Sequence, residues 1–219
     1  MSKLFDHDNK VMQILAKVAD ILIISILWVV LSLTVVGFGP ACTAAYYATA
    51  KCVRRDRGNV FREFWHALKS NFWRSLALGF IVIFFGISLF LFDFAEIANA
   101  VLNQQEMDTW RLLFSILKIF LFCGFFIYLF PIQSRFQAKL VRVVFTSLMM
   151  MFRHIGMTLV MIAVLLMVGI TCIVYPYLAM ALPGFLYYLF SFPMEKILLR
   201  LVAEDDLEED EEKDQWYLE

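Results

Sequence analysis

Forty consecutive residues of this chain, Ile155–Met194, contain no Asp, Glu, Lys or Arg. Ile21–Phe38 and Ser75–Phe92 add 18 uncharged residues each, and Leu112–Phe130 adds 19 with Lys118 as the one charge. A membrane-spanning helix needs about 20 mostly apolar residues. Soluble domains are about 45–50% apolar, whereas this chain is 62% apolar. The sequence therefore predicts an all-α, polytopic membrane bundle with three single spans and a final run long enough for a hairpin.

The charges between these runs predict an orientation. Basic residues precede the first run, fill the segment Lys51–Arg74, and recur in Arg135–Arg153, whereas the loop Asp93–Thr109 has four acids and no Lys or Arg. Because Lys and Arg are retained on the cytoplasmic side, both basic segments are expected inside and the acidic loop outside. We expect a multi-pass membrane protein with both termini in the cytoplasm.

That topology depends on what happens after the first run, where Gly37-Phe38-Gly39-Pro40 interrupts it. One crossing before Lys51 would place the N-terminus and its lysines outside, whereas two crossings keep every basic cluster inside. The second crossing would have to be made by Ala41–Cys52, which is only about 18 Å of helix. We favour a helix broken at membrane depth, with an ordinary turn and an interfacial helix as the alternative.

The motif residues expected to matter at this break are Gly37, Gly39, Pro40, Thr43 and Tyr46. The glycines permit the turn, Pro40 suits a helix start, and small residues let helices approach closely.

A second long helix, break and short arm occur near the other end, where Pro183-Gly184 precedes Phe185–Met194. With the two short helices, the bundle would have five to six membrane helices. Paired interrupted helices indicate a binding site near the midplane in secondary transporters. The alternative is that both are turns, which commonly contain Pro and Gly.

Two segments expected in the cytoplasm have amphipathic patterns that suit docking onto a partner or onto lipid headgroups. The residues expected to dock are Phe61, Phe64, Trp65 and Leu68 in the first segment and Arg135, Lys139 and Arg142 in the second. The basic residues of the second suit anionic lipid as well as a cytosolic protein.

Lys118 is a charge within an apolar run, and such residues are functional candidates by default. It lies close enough to the outer boundary to extend outward or to pair with Asp93 or Glu96. The chain divides into one transmembrane domain, residues 1–203, and a tail, residues 204–219, with ten acids. An acidic block of this kind is expected to be disordered, and serves either as a solvating end or as an interaction tail.

Motifs for catalysis are absent from the sequence. The three histidines, His7, His66 and His154, are scattered, and neither a GxSxG nor a GxxxxGK[ST] motif occurs. We therefore expect a non-enzymatic protein with no cofactor, metal or nucleic-acid partner. A small-molecule substrate stays open.

Several segments together resemble one family. They are "LWVVLSLTVVGFGPACTAAYY", the basic loop that leads into "FREFWHALKSNFWRS", "YLFPIQSRF", and "LPGFLYYLFSFPMEKILLR". Their order resembles the YesL-type membrane proteins of Gram-positive bacteria, a family of unknown function. The family's usual "PxxTxGPAttA" pattern is met without its early Pro, and Phe38 stands between the two glycines.

The resemblance implies a place in the bacterial cell membrane beside carbohydrate ABC importers, and it carries no catalytic residues. Three hypotheses follow. The chain is an auxiliary subunit that contacts the permease subunits of such an importer, a small transporter that uses its two broken helices, or a membrane regulator or assembly factor for sugar uptake.

Overall fold

The computed structural model describes residues 10–94, 109–136 and 139–205. These residues form eight α-helices, three short helical turns and no β-strand. The helices are α1 (Lys10–Ser32), α2 (Phe38–Ala48), α3 (Val60–Ser70), α4 (Phe72–Leu89), α5 (Thr109–Arg135), α6 (Leu140–Arg153), α7 (Ile155–Val174) and α8 (Leu182–Asp205). The π-helical turns Thr49–Val53 and Phe90–Phe94 follow α2 and α4, and the 3-10 turn Pro176–Met180 precedes α8.

Four helices are long and apolar enough to cross a membrane, which confirms an all-α membrane bundle. The candidate spans are Val11–Ser32, Phe72–Asp93, Thr109–Arg135 and Ile155–Val174. The third span continues through Pro131 to Arg135, beyond the end of the apolar run at Phe130.

The short helix α2 lies at the centre of the bundle. Every residue from Gly39 to Ala48 is buried, because α1, α3, α4 and α5 pack around it. Its start is close-packed against α4, where a Cβ on Gly39 would overlap the carbonyl oxygen of Ser75 and approach the Cα of Gly79 to 2.8 Å. A helix this enclosed is not an interfacial helix.

The position of the Gly39–Gly79 contact along α4 shows that the break before α2 lies within the length of this span. Gly79 lies about 10 Å along α4 from Phe72 and about 21 Å from Asp93, at 1.5 Å per residue. After α2 the chain returns to the end of the bundle where α1 begins. There, Lys17 Nζ of α1 donates to Asp56 Oδ2, which follows α2 in the sequence, at 2.9 Å. Helices α1 and α2 therefore form a hairpin, and α2 starts beside α4 within the length of that candidate span.

Helix α8 also begins beside a span. The Gly184 amide donates to Ser25 Oγ at 2.8 Å, and Ser25 Oγ donates to the Ala181 carbonyl at 2.8 Å. The arm expected over Phe185–Met194 is part of a 24-residue helix with Pro193 inside it, so it is longer than the sequence suggested. The acidic loop beyond Phe94, the histidine at position 7 and tail residues 206–219 lie outside the described residues.

Candidate functional site: a buried charge cluster

Glu195 of α8 is the centre of a buried charge cluster in which α2, α5 and α8 meet. Its side chain is 1% exposed and forms an ion pair with Arg135, the last residue of α5, which is equally buried. The Tyr46 hydroxyl, on the fully buried helix α2, donates to Glu195 Oε1 at 3.1 Å. Because an unpaired buried charge is costly, these contacts fix the C-terminal parts of α2 and α5 against the middle of α8.

Two further arginines approach the other carboxylate oxygen. Arg54 Nη1 and Arg55 Nη2 lie 3.7 and 3.5 Å from Glu195 Oε2. Arg54 Nη1 also donates to the Ser191 carbonyl at 2.6 Å, and its guanidinium lies 5.4 Å from the Phe192 ring. Both arginines follow the π-helical turn Thr49–Val53, and wide turns of this kind are frequent at functional sites.

A second ion pair holds the start of α3 next to the cluster. Lys51 Nζ lies 3.0 Å from Glu63 Oε2 and donates to the Tyr47 hydroxyl at 3.1 Å. Burial alone lowers the pKa of Lys51, but its bonds to Tyr47 and Glu63 outweigh burial and raise that pKa above its ordinary value. Asn59 caps α3 by accepting from the amides of Phe61 and Arg62.

The arrangement is suited to holding α2, α5 and α8 together. The Glu195 carboxylate is engaged by one hydroxyl and three guanidinium groups. Within residues 10–94, 109–136 and 139–205, no group of three or more His, Cys, Asp or Glu side chains could hold a metal ion.

The structure places all five break-motif residues in or beside α2. Gly37 closes the turn by donating its amide to Thr34, and Pro40 is the third residue of the helix rather than the first. The Thr43 hydroxyl donates to Ser75 Oγ of α4 at 2.9 Å, while Gly39 contacts the α4 backbone. Of the five, only Tyr46 reaches the charge cluster. The motif therefore packs α2 against α4 and connects it to Glu195.

The residues expected to dock divide into two groups. Phe64 and Leu68 are buried in the bundle, and Arg135 is buried against Glu195, so these three are not available to a partner or to lipid. Phe61 and Trp65 are 59% and 42% exposed and stack with ring centroids 6.5 Å apart. Lys139 and Arg142 are also exposed. The expected docking face is therefore smaller than the helical pattern indicated, because the bundle itself uses half of it.

Lys118 pairs with Asp93, one of the two acids expected for it, and Ser115 Oγ donates to the same carboxylate oxygen at 2.8 Å. The Lys118 side chain is half exposed, whereas Asp93 is buried. This pair ties the far ends of α4 and α5 together, at the opposite end of these two helices from the Glu195 cluster.

Sequence reasoning missed Glu195 as the centre of the site. A signal was present, because Glu195 is the one acidic residue between positions 109 and 203, among eight Lys and Arg. An acid isolated in such a stretch needs cationic partners if the helix that carries it packs against the bundle.

Residues 21–94 match the model of a family described as "Protein of unknown function, DUF624". The matched segment covers the second half of α1, all of α2, α3 and α4, and the arginines Arg54 and Arg55. Arg135 and Glu195 lie outside it. Neither the curated proteins nor the solved structures contain a match to this chain.

Proposed function

We propose that this chain is a non-enzymatic, YesL-type protein of the bacterial cell membrane that serves as an auxiliary subunit of a carbohydrate ABC importer. The match of residues 21–94 supports a relation to a family of unknown function, and the YesL-type assignment is our proposal from the resemblance of the sequence segments. The importer role rests on the resemblance of the sequence segments, and the geometry adds a surface with which a permease subunit could be contacted.

The observation that carries the proposal is the exposed aromatic pair Phe61 and Trp65. The two rings stand on a helix whose other face, Val60, Phe64 and Leu68, is buried in the bundle. The pair is therefore presented in a fixed position. Rigid aromatic side chains are enriched at the energetic centres of protein interfaces. A pre-positioned pair also loses little conformational freedom on binding.

The test is affinity purification of the full chain from its native membrane in mild detergent, followed by mass spectrometry. We expect co-purified permease subunits with the parent chain and loss of most of that signal with Phe61→Ala combined with Trp65→Ala. Trp110→Ala is the matched control, since Trp110 is 70% exposed on α5, near the opposite end of the bundle. Permease recovery that is unchanged in the double variant, or absent with the parent, would refute the proposed role.

A small transporter is the second candidate, and one observation favours it. Phe38 at the start of α2 and Pro183 at the start of α8 border the same cavity of ≈ 360 Å³, as expected for paired interrupted helices around a binding site. The lining is almost entirely apolar, so a sugar would find few hydrogen-bond partners there. Purification as a lone oligomer without permease subunits would favour this candidate over the importer role.

A further inference from the structure

We propose that the cavity between the starts of α2 and α8 binds one acyl chain of a membrane phospholipid. This inference is independent of the importer role. It rests on the chemistry of the cavity wall, on the position of its opening and on its volume.

The wall offers a ligand almost no free hydrogen-bonding group. Sixteen residues line the cavity, and three of them, Trp28, Tyr46 and Tyr187, carry a strong donor. Trp28 Nε1 donates to Cys42 Sγ at 3.3 Å, the Tyr187 hydroxyl is hydrogen-bonded to the same thiol, and the Tyr46 hydroxyl donates to Glu195. Since all three donors are already used within the protein, a polar solute entering the cavity would lose its hydration without replacement.

The opening of the cavity faces the surface of a membrane span. Gly169 on α7 lines the cavity and is exposed, and Cys172 and Ala179 beside it are partly exposed. The neighbouring α7 residues Ile170 and Ile173 are 62% and 79% exposed, and Ile155–Val174 is one of the candidate spans. The medium at this opening is therefore lipid hydrocarbon, so the ligand that reaches it most readily is an acyl chain.

The volume suits such a ligand. Binding cavities for small molecules start at about 300 Å³, and an engineered apolar cavity of about 150 Å³ stays free of water and binds benzene. A cavity of ≈ 360 Å³ exceeds that second volume about twofold. One chain segment would restore the dispersion contacts that its aromatic wall otherwise lacks.

The experiment uses the full-length protein in nanodiscs that contain a phospholipid with a photoreactive diazirine in one acyl chain. We expect crosslinks on cavity residues that lipid at the outer surface cannot reach, Phe130 and Phe190 in particular, which are 1% and 6% exposed. Excess unlabelled phospholipid should reduce these crosslinks, because both lipids compete for one site.

Two matched variants test the site. Gly169 and Gly156 are both exposed glycines of α7 where an added Cβ would meet no other atom within 4 Å, but only Gly169 lines the cavity. Gly169→Trp should lower the crosslinks at Phe130 and Phe190 at least fivefold, whereas Gly156→Trp should leave them unchanged. Thermal melting of both variants should match the parent, which shows that each is folded.

Three results would overturn the proposal. Crosslinks confined to lipid-facing residues such as Ile170 and Ile173 would show that no chain enters. Equal labelling of Phe130 and Phe190 in the Gly169→Trp and Gly156→Trp variants would show that the label reaches these residues without an acyl chain occupying this cavity. Displacement of the labelled lipid by a water-soluble sugar would assign the cavity to a polar ligand instead.

Discussion

The helices α2 and α8 both begin at a Gly/Pro interruption beside a membrane span, and both contribute a side chain to the Glu195 cluster, yet they are packed in opposite ways. Every residue of α2 from Gly39 to Ala48 is buried. Along α8, by contrast, buried positions such as Tyr187 and Phe190 alternate with Phe185 and Phe192, which are each 44% exposed. The same Gly/Pro interruption therefore precedes a central helix, α2, in one case and a peripheral helix, α8, in the other.

The difference teaches that a Gly/Pro break sets where a helix starts, whereas side-chain size sets how deeply it is enclosed. Four of the eleven residues of α2 are Ala and one is Gly, and small residues allow neighbouring helices to approach on several sides. The corresponding part of α8 carries Phe, Tyr and Leu, which pack on one side and extend outward on the other. Tolerance to substitution should differ accordingly.

The largest effect is expected where the two helices meet. Glu195→Gln removes the carboxylate that neutralises buried Arg135, and breaking a buried ion pair in this way costs about 3–5 kcal/mol. The matched control is Glu63→Gln, whose pair with Lys51 is more accessible to solvent than the pair of Glu195 with Arg135 and should therefore cost less. Thermal melting in detergent measures both. Equal losses would show that the cluster does not hold α2 and α8 together.

A smaller loss of stability is expected for substitutions at the starts of α2 and α8, and this loss should differ between the two helices. An added methyl would overlap backbone atoms at both Gly39 and Gly184, and overpacking costs about 1–3 kcal/mol. Gly39→Ala should lie at the top of this range because α2 is enclosed on all sides. Gly184→Ala should lie at the bottom, because α8 can move outward. If Gly184→Ala proved as harmful as Gly39→Ala under the same melting assay, the contrast between central and peripheral helices would be wrong.

The smallest effect is expected at the prolines. Pro40 and Pro183 both lie in the first turn of their helices, where backbone amides have no partner within the helix and a missing N–H is tolerated. Replacing either by Ala should cost about 0.4–1 kcal/mol, mainly through the greater freedom of the unfolded chain. Urea or detergent titration of the two variants beside the parent checks this. A loss at Pro40 as large as that of Gly39→Ala would place the constraint in the ring rather than in the close helix contact.

Much of this fold could be predicted from the sequence. The four spans were visible as apolar runs, because a membrane helix has to be apolar along about 20 residues. The small residues after Gly39 pointed to close packing, and the structure has that packing. The pairing of Lys118 with Asp93 was one of three expected outcomes, beside pairing with Glu96 and outward extension.

The charge cluster could not be assembled from the sequence, because its members are far apart along the chain. Glu195 is 149 residues from Tyr46 and 60 from Arg135, and helical periodicity does not say which helices are neighbours. For the same reason, Phe64 and Trp65 looked alike on the helical pattern of α3. One is fully buried and the other is 42% exposed, because α2 covers only part of the apolar face.

The enclosure of α2 has a consequence for how the protein is made. Of the helices that surround α2, only α1 has left the ribosome when α2 emerges. Gly79, which Gly39 contacts, is synthesised 40 residues after Gly39. Glu195, which accepts the hydrogen bond of Tyr46, is synthesised 149 residues after Tyr46. Until α8 is made, the Tyr46 hydroxyl lacks the carboxylate to which it donates in the folded protein, and an unpaired polar group is costly in hydrocarbon. We therefore expect α2 to reach its final packing only after α8, the last helix, has been inserted.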